Sequence, residues 1–149
     1  MEKEFIPYVE ALALKELGFD EPCFGYFENQ DMNLVINFNN LPLTEEQSKR
    51  PGLYTIDNRN SVLPQWATAV PLYQQAFRWF REKYNLRGFI GFRPNVKQFD
   101  CHIYDMSLSG KEYVKQGTME EFSKDPKVGT YEEAELECLK KLIETIKQK

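Results

Sequence analysis

The sequence contains few of the residue patterns that identify catalytic or cofactor sites. Its one histidine, His102, follows Cys101 in a predicted strand, where neighbouring side chains point to opposite faces and cannot form a nucleophile–base pair. The three cysteines, Cys23, Cys101 and Cys138, form no CxxC pair, which argues against a zinc site. The sequence has no GxGxxG or Walker phosphate loop and no GxSxG nucleophile elbow. It therefore predicts no catalytic residue, no bound metal and no cofactor.

The sequence also has no long hydrophobic run and no excess of basic charge. No stretch approaches the ~20 apolar residues that cross a bilayer, and the first residues lack the charged-then-apolar pattern of a signal peptide. The net charge is −4, from 23 acidic and 19 basic side chains, whereas proteins that neutralise many phosphates are usually basic. Scattered cysteines in odd number are typical of reduced thiols in the cytoplasm. We therefore expect a cytoplasmic protein with no membrane partner.

The composition is that of a globular domain. The 149 residues are 42% apolar and 14% aromatic, enough to fill one core without disulfides or metals. Periodicity and turn residues predict three helices, at 7–17, 70–84 and 131–146, and two hairpins, with strands at 23–27, 34–38, 88–93 and 99–104. We predict a single α+β domain over residues 1–149, with a mainly antiparallel sheet of four to five strands and helices packed on one face.

The last two predicted helices carry the expected core. Apolar residues recur on one side of each helix, and the predicted core residues are Phe77, Phe80, Leu139, Leu142 and Ile143. Thr130 and Glu133 open the final helix with the spacing of a capping box, in which each side chain satisfies an unpaired backbone N–H.

Two stretches, residues 39–69 and 107–129, are polar and irregular. Their candidate short elements are a helical turn at 44–46, a strand at 53–56 and a helix at 119–122. Long irregular connections are uncommon inside compact domains, so residues 39–69 either are functional or contain an element that the pattern does not reveal.

The segment from Arg78 to Lys97 concentrates basic and aromatic side chains around a single acidic one, Glu82. Such a surface stacks bases and neutralises phosphates of single-stranded nucleic acid or of a nucleotide, but it equally suits the solvated side of a helix followed by a strand. The candidate ligand-binding residues are Arg78, Arg81, Arg87, Arg93 and Trp79. Alternatively, Trp66 and Trp79 anchor a protein partner.

Three blocks of the sequence, residues 11–20, 75–84 and 130–143, resemble a group of small hypothetical proteins that recur in tailed bacteriophages and integrated elements, notably of Bacteroidetes. The resemblance covers the three predicted helices and carries no activity. It implies a phage- or mobile-element-related accessory or binding protein, and the lack of catalytic patterns favours this non-enzymatic interpretation. The alternative is a small enzyme or nucleotide- or nucleic-acid-binding protein that uses the Arg78–Lys97 surface together with Asp100 or His102.

Overall fold

The computed structural model describes residues 2–28, 33–36, 58–95, 97–106 and 129–148, and the chain divides into two compact units, Met1–Leu72 and Tyr73–Lys149. Within the described ranges, three α-helices and five strands form antiparallel sheets of three and two strands, which confirms the α+β class. The short elements predicted at 44–46, 53–56 and 119–122 lie outside these ranges. No helix in the described part of the chain is long and apolar enough to cross a membrane.

The first unit packs one helix against a three-stranded sheet. Helix α1, Tyr8–Glu16, begins after Pro7, and Gly18 follows it with a left-handed φ of 83°. The strands are β1 (Gly25–Glu28), β2 (Asn33–Ile36) and β3 (Ala67–Val70), in the order β2-β1-β3. Both neighbours run antiparallel to the central strand β1. The predicted first helix and first hairpin are therefore confirmed within the described residues.

Strand β3 corrects the prediction for residues 67–72. The sequence predicts a helix from Val70, but Val70 ends β3 and the helix begins at Tyr73. Pro71 explains the difference, because a proline disfavours helical backbone in the residue before it and fits equally well after a strand. All four residues of β3 are buried, so this strand lacks the polar alternation by which a half-buried strand is recognised.

Side-chain hydrogen bonds connect the segment before β3 to the residues that follow α1. The Asn60 amide donates to the Phe19 carbonyl at 2.8 Å and accepts from the Ala69 N–H at 3.0 Å. Asp20 accepts from the Ser61 N–H at 2.7 Å. These bonds satisfy backbone groups in a segment whose sequence predicts no regular structure.

The second unit consists of a hairpin and two helices. Helix α2 (Tyr73–Tyr84) leads through Asn85, with a φ of 55°, into β4 (Leu86–Arg93). Strand β5 (Gln98–Asp105) returns antiparallel, and the unit ends with α3 (Tyr131–Lys147). The predicted capping box is present, because the Thr130 hydroxyl accepts from the Glu133 N–H at 3.2 Å and the Glu133 carboxylate accepts from the Thr130 N–H at 3.3 Å.

Both helices of the second unit lie on one face of the hairpin. A Cβ atom built on Gly88 of β4 would lie 2.9 Å from Phe77 of α2 and 3.0 Å from the Cys138 sulfur of α3. One strand position therefore faces both helices, as predicted. Of the predicted core residues, four are buried and Phe77 is partly buried; the buried four are Phe80, Leu139, Leu142 and Ile143.

Candidate functional site

The face of the β4–β5 hairpin that points away from α2 and α3 carries the candidate site. Successive strand residues point to opposite faces, so Gly88 on the inner face places the odd-numbered residues of β4 on the outer face. Directly paired residues share a face, which assigns their β5 partners as well. We call this surface the hairpin face, and its members are Arg87, Phe89, Gly91, Arg93, Gln98, Asp100, His102 and Tyr104.

Three aromatic rings occupy one end of the hairpin face. Phe89 pairs with His102 across the strands, and their ring centres are 6.1 Å apart with 33° between the planes. Tyr104 lies next to His102 on the same face, opposite Arg87. Phe89 and Tyr104 keep 52% and 36% of their surface exposed. Phe89 and Tyr104 lie on neighbouring cross-strand rows of one face, and exposed apolar surface of this kind occurs at interaction sites.

Gly91 allows two of these rings to lie along the strand. A Cβ atom at this position would lie 3.5 Å from His102 Nε2 and 3.6 Å from the Phe89 ring, so both rings lean over the Gly91 backbone. The Phe89 and His102 rings therefore lie close to the sheet backbone beside Gly91.

An ion pair occupies the other end of the hairpin face. Arg93 donates from Nη2 to Asp100 Oδ1 at 2.6 Å, and its Nε lies beside Asp100 Oδ2. Asp100 is only 6% exposed, and its hydrogen bond raises the pKa of Arg93. The two charges of this pair offset each other, whereas Arg87 is exposed beside the rings. The charge available to a ligand therefore lies next to the aromatic end.

The structure does not bring the five predicted ligand-binding residues together. Arg87 and Arg93 lie on the hairpin face, but Arg78 and Arg81 are exposed on α2, which packs on the opposite face of the hairpin. Trp79 is 5% exposed, and its ring packs on Tyr84 at 5.2 Å and on Phe80 at 5.1 Å.

The buried ring of Trp79 does not form part of an open stacking surface. The Lys83 Nζ lies over this ring, 4.8 Å from the ring centre, and makes an intramolecular cation–π contact. Trp66, the other tryptophan predicted as a protein anchor, is half-exposed in the first unit.

The sequence alone does not join the three rings of the hairpin face. It offers His102 only as a companion of the Arg78–Lys97 surface, and Phe89 is one of the aromatic residues within that segment. The signal that would have joined them is the period of two, which places Arg87 with Phe89 and His102 with Tyr104 on the same side of two paired strands.

The chemistry of the hairpin face is that of stacking and hydrogen bonding. In the described residues, no group of three or more histidine, cysteine, aspartate or glutamate side chains is placed to hold a metal ion. Comparisons with protein-family models, with curated proteins and with solved structures found no match. The assignment of function therefore depends on the side chains themselves.

Proposed function

We propose that this chain is a non-catalytic binding protein that holds single-stranded nucleic acid on the hairpin face. The observation that carries the proposal is the pair of successive cross-strand rows, Arg87–Tyr104 and Phe89–His102, which place three rings and one guanidinium side by side. Side chains within such a row have Cβ atoms roughly 5 Å apart, and successive rows are about 7 Å apart along the strands. These spacings match a surface on which unpaired bases stack.

Stacking supplies the free energy of this interaction. Each base stacked on an aromatic side chain contributes roughly 1–3 kcal/mol, and the contribution depends little on sequence because every base has a π-face. Phe89 and Tyr104 are exposed enough to receive a base, and His102 extends the same surface. Arg87 adds a planar cation that pairs with a phosphate or stacks on a base.

The same features favour a single strand over a duplex. Bases in a duplex are already stacked and present only their edges, whereas the hairpin face offers ring surfaces to unstacked bases. A duplex binder needs many phosphate contacts, but the chain has a net charge of −4 and the Arg93 guanidinium is paired with Asp100. We therefore expect stacking to dominate and the salt dependence to be shallow.

The proposal also includes an accessory role in a phage or mobile element and placement in the cytoplasm. The resemblance of its helices to small proteins of phages and integrated elements supports an accessory role. Placement in the cytoplasm is supported by its three cysteines, all of which are reduced thiols.

Fluorescence anisotropy tests the proposal with labelled DNA and RNA single strands and with a duplex of the same sequence. We expect single strands to bind and the duplex to bind far more weakly. The salt slope should correspond to one or two phosphates, at about −0.7 per phosphate. Arg87→Ala should lower the affinity and flatten the slope, whereas Arg81→Ala, which removes the same charge from α2, should change neither.

Three results would overturn the proposal. They are the absence of single-strand binding at low salt, equal affinity for the duplex, and a dependence on Arg81 rather than on Arg87. Circular dichroism of each variant shows whether the fold is retained, which we expect because both arginines are exposed.

A further inference from the structure

The inner side of the second unit contains two cysteines in one buried layer. Cys101 lies on the inner face of β5, where its direct partner on β4 is Ile90. Cys138 lies on α3, and both side chains are buried. Sequence reasoning treats these thiols as unrelated because they are far apart in the chain.

The two cysteines are neighbours in this buried layer. The Cys138 sulfur also lies 3.0 Å from the Cβ position of Gly88, which is the diagonal neighbour of Cys101 on the inner face. A side chain at position 88 would fill the space that this sulfur occupies. A disulfide forms with little backbone movement where the Cα atoms of two cysteines lie within about 7 Å, a separation that neighbouring residues of two packed elements can have.

We propose that Cys101 and Cys138 are an oxidisable dithiol that a peroxide converts into an intramolecular disulfide joining α3 to β5. In the first step one thiolate attacks the peroxide, so that an S–O bond forms, the O–O bond breaks and water is released when hydrogen peroxide is the oxidant. In the second step the other sulfur attacks the sulfenic acid, so that the S–S bond forms, the S–O bond breaks and a second water leaves. The thiols lose two electrons, which reduce the peroxide.

Burial makes this reaction conditional on opening. Hydrogen bonding to Cys101 and burial both raise the pKa of Cys138, and the thiolate is the reactive form. The reaction therefore proceeds from molecules in which α3 has moved away from the hairpin, and closure traps the product. Cys101 lies between Asp100 and His102, so the disulfide would also fix the strand beneath the hairpin face.

Hydrogen peroxide treatment of the full chain, followed by non-reducing peptide mapping, tests the proposal. We expect a Cys101–Cys138 linkage, loss of two of the three thiols, faster formation in sub-denaturing urea, and a melting temperature that rises on oxidation and falls again in dithiothreitol. Cys23→Ser is the matched control, because Cys23 is a buried thiol of the first unit that donates to the Glu21 carbonyl at 3.4 Å. It should leave the linkage intact, whereas Cys101→Ser should abolish it.

Two results would overturn the proposal. One is oxidation of Cys23 to sulfinic or sulfonic acid while Cys101 and Cys138 remain reduced. The other is a product made only of disulfide-linked dimers. Both are read from the wild-type chain, so they do not depend on the folding of a variant.

Discussion

The substitution Gly88→Ala should destabilise the second unit, because position 88 is where α2 and α3 meet the hairpin. The new methyl group would lie 2.9 Å from the Phe77 ring and 3.0 Å from the Cys138 sulfur. Both distances are shorter than ordinary van der Waals contact, so the Phe77 ring, the Cys138 side chain or the helix that carries one of them must shift. Overpacking of this kind costs about 1–3 kcal/mol. With a denaturant dependence of about 2 kcal/mol per molar, the urea midpoint should fall by about 0.5–1.5 M.

Gly91→Ala is the matched control on the same strand. Its methyl group would lie 3.5 Å from His102 and 3.6 Å from Phe89, which are ordinary contact distances on the outer face. Removing a glycine from a strand without a clash is neutral or stabilises by up to about 1 kcal/mol. Urea unfolding followed by tryptophan fluorescence suits both variants, because Trp79 is buried in the second unit. Equal midpoints for the two variants would refute the placement of both helices on the Gly88 face.

Two further predictions concern local hydrogen bonds. Thr130→Ala removes half of the capping box and should lower the free energy of unfolding by about 0.5–2 kcal/mol, measured by thermal unfolding followed by circular dichroism. Thr130→Ser should behave as wild type because it keeps the hydroxyl. Equal losses of stability in the two variants would contradict the capping role. The hydrogen bond from the Ser61 N–H holds the pKa of the Asp20 carboxyl below its ordinary value of 3.8. The bond therefore stabilises the fold at pH values above 3.8. This stabilisation is lost as the pH falls through the lower pKa that Asp20 has in the folded state. Asp20→Asn keeps the acceptor without titrating, so its stability should fall less steeply under acid than that of wild type, and parallel profiles would exclude the effect.

Elements with local signals were predicted from the sequence. Helix α3 has a capping box and an apolar stripe within one stretch of chain, and the β4–β5 hairpin has alternating strands around a turn. Strand β3 was missed because it is four residues long, fully buried and stabilised by pairing with β1, which is distant in sequence. The start of α2 was misplaced because Pro71 fits both a helix start and a strand end.

The candidate site was only partly predictable. Arg78, Arg81, Arg87 and Arg93 are close in sequence, but Asn85 turns the chain from the helix layer into the sheet layer, and the pleat then directs Arg87 and Arg93 away from α2. The face of β4 that packs against the helices is the one that carries Gly88. A glycine in a strand pattern does not show from the sequence which face is packed. The pairing of Phe89 with His102 depends on strand register, which a single sequence specifies weakly.

We propose that exposed rings of the hairpin face bind single-stranded nucleic acid, and a comparison of Phe89→Ala with Phe92→Ala tests this most directly. Both phenylalanines belong to β4 and are similarly exposed, at 52% and 55%, but Phe92 is on the inner side, where it packs on Phe99 at 5.0 Å. We expect Phe89→Ala to weaken the binding of a labelled single strand by about 5- to 150-fold, the equivalent of one stacked base, and Phe92→Ala to leave it unchanged. Equal losses in the two variants, or a loss only in Phe92→Ala, would contradict the account.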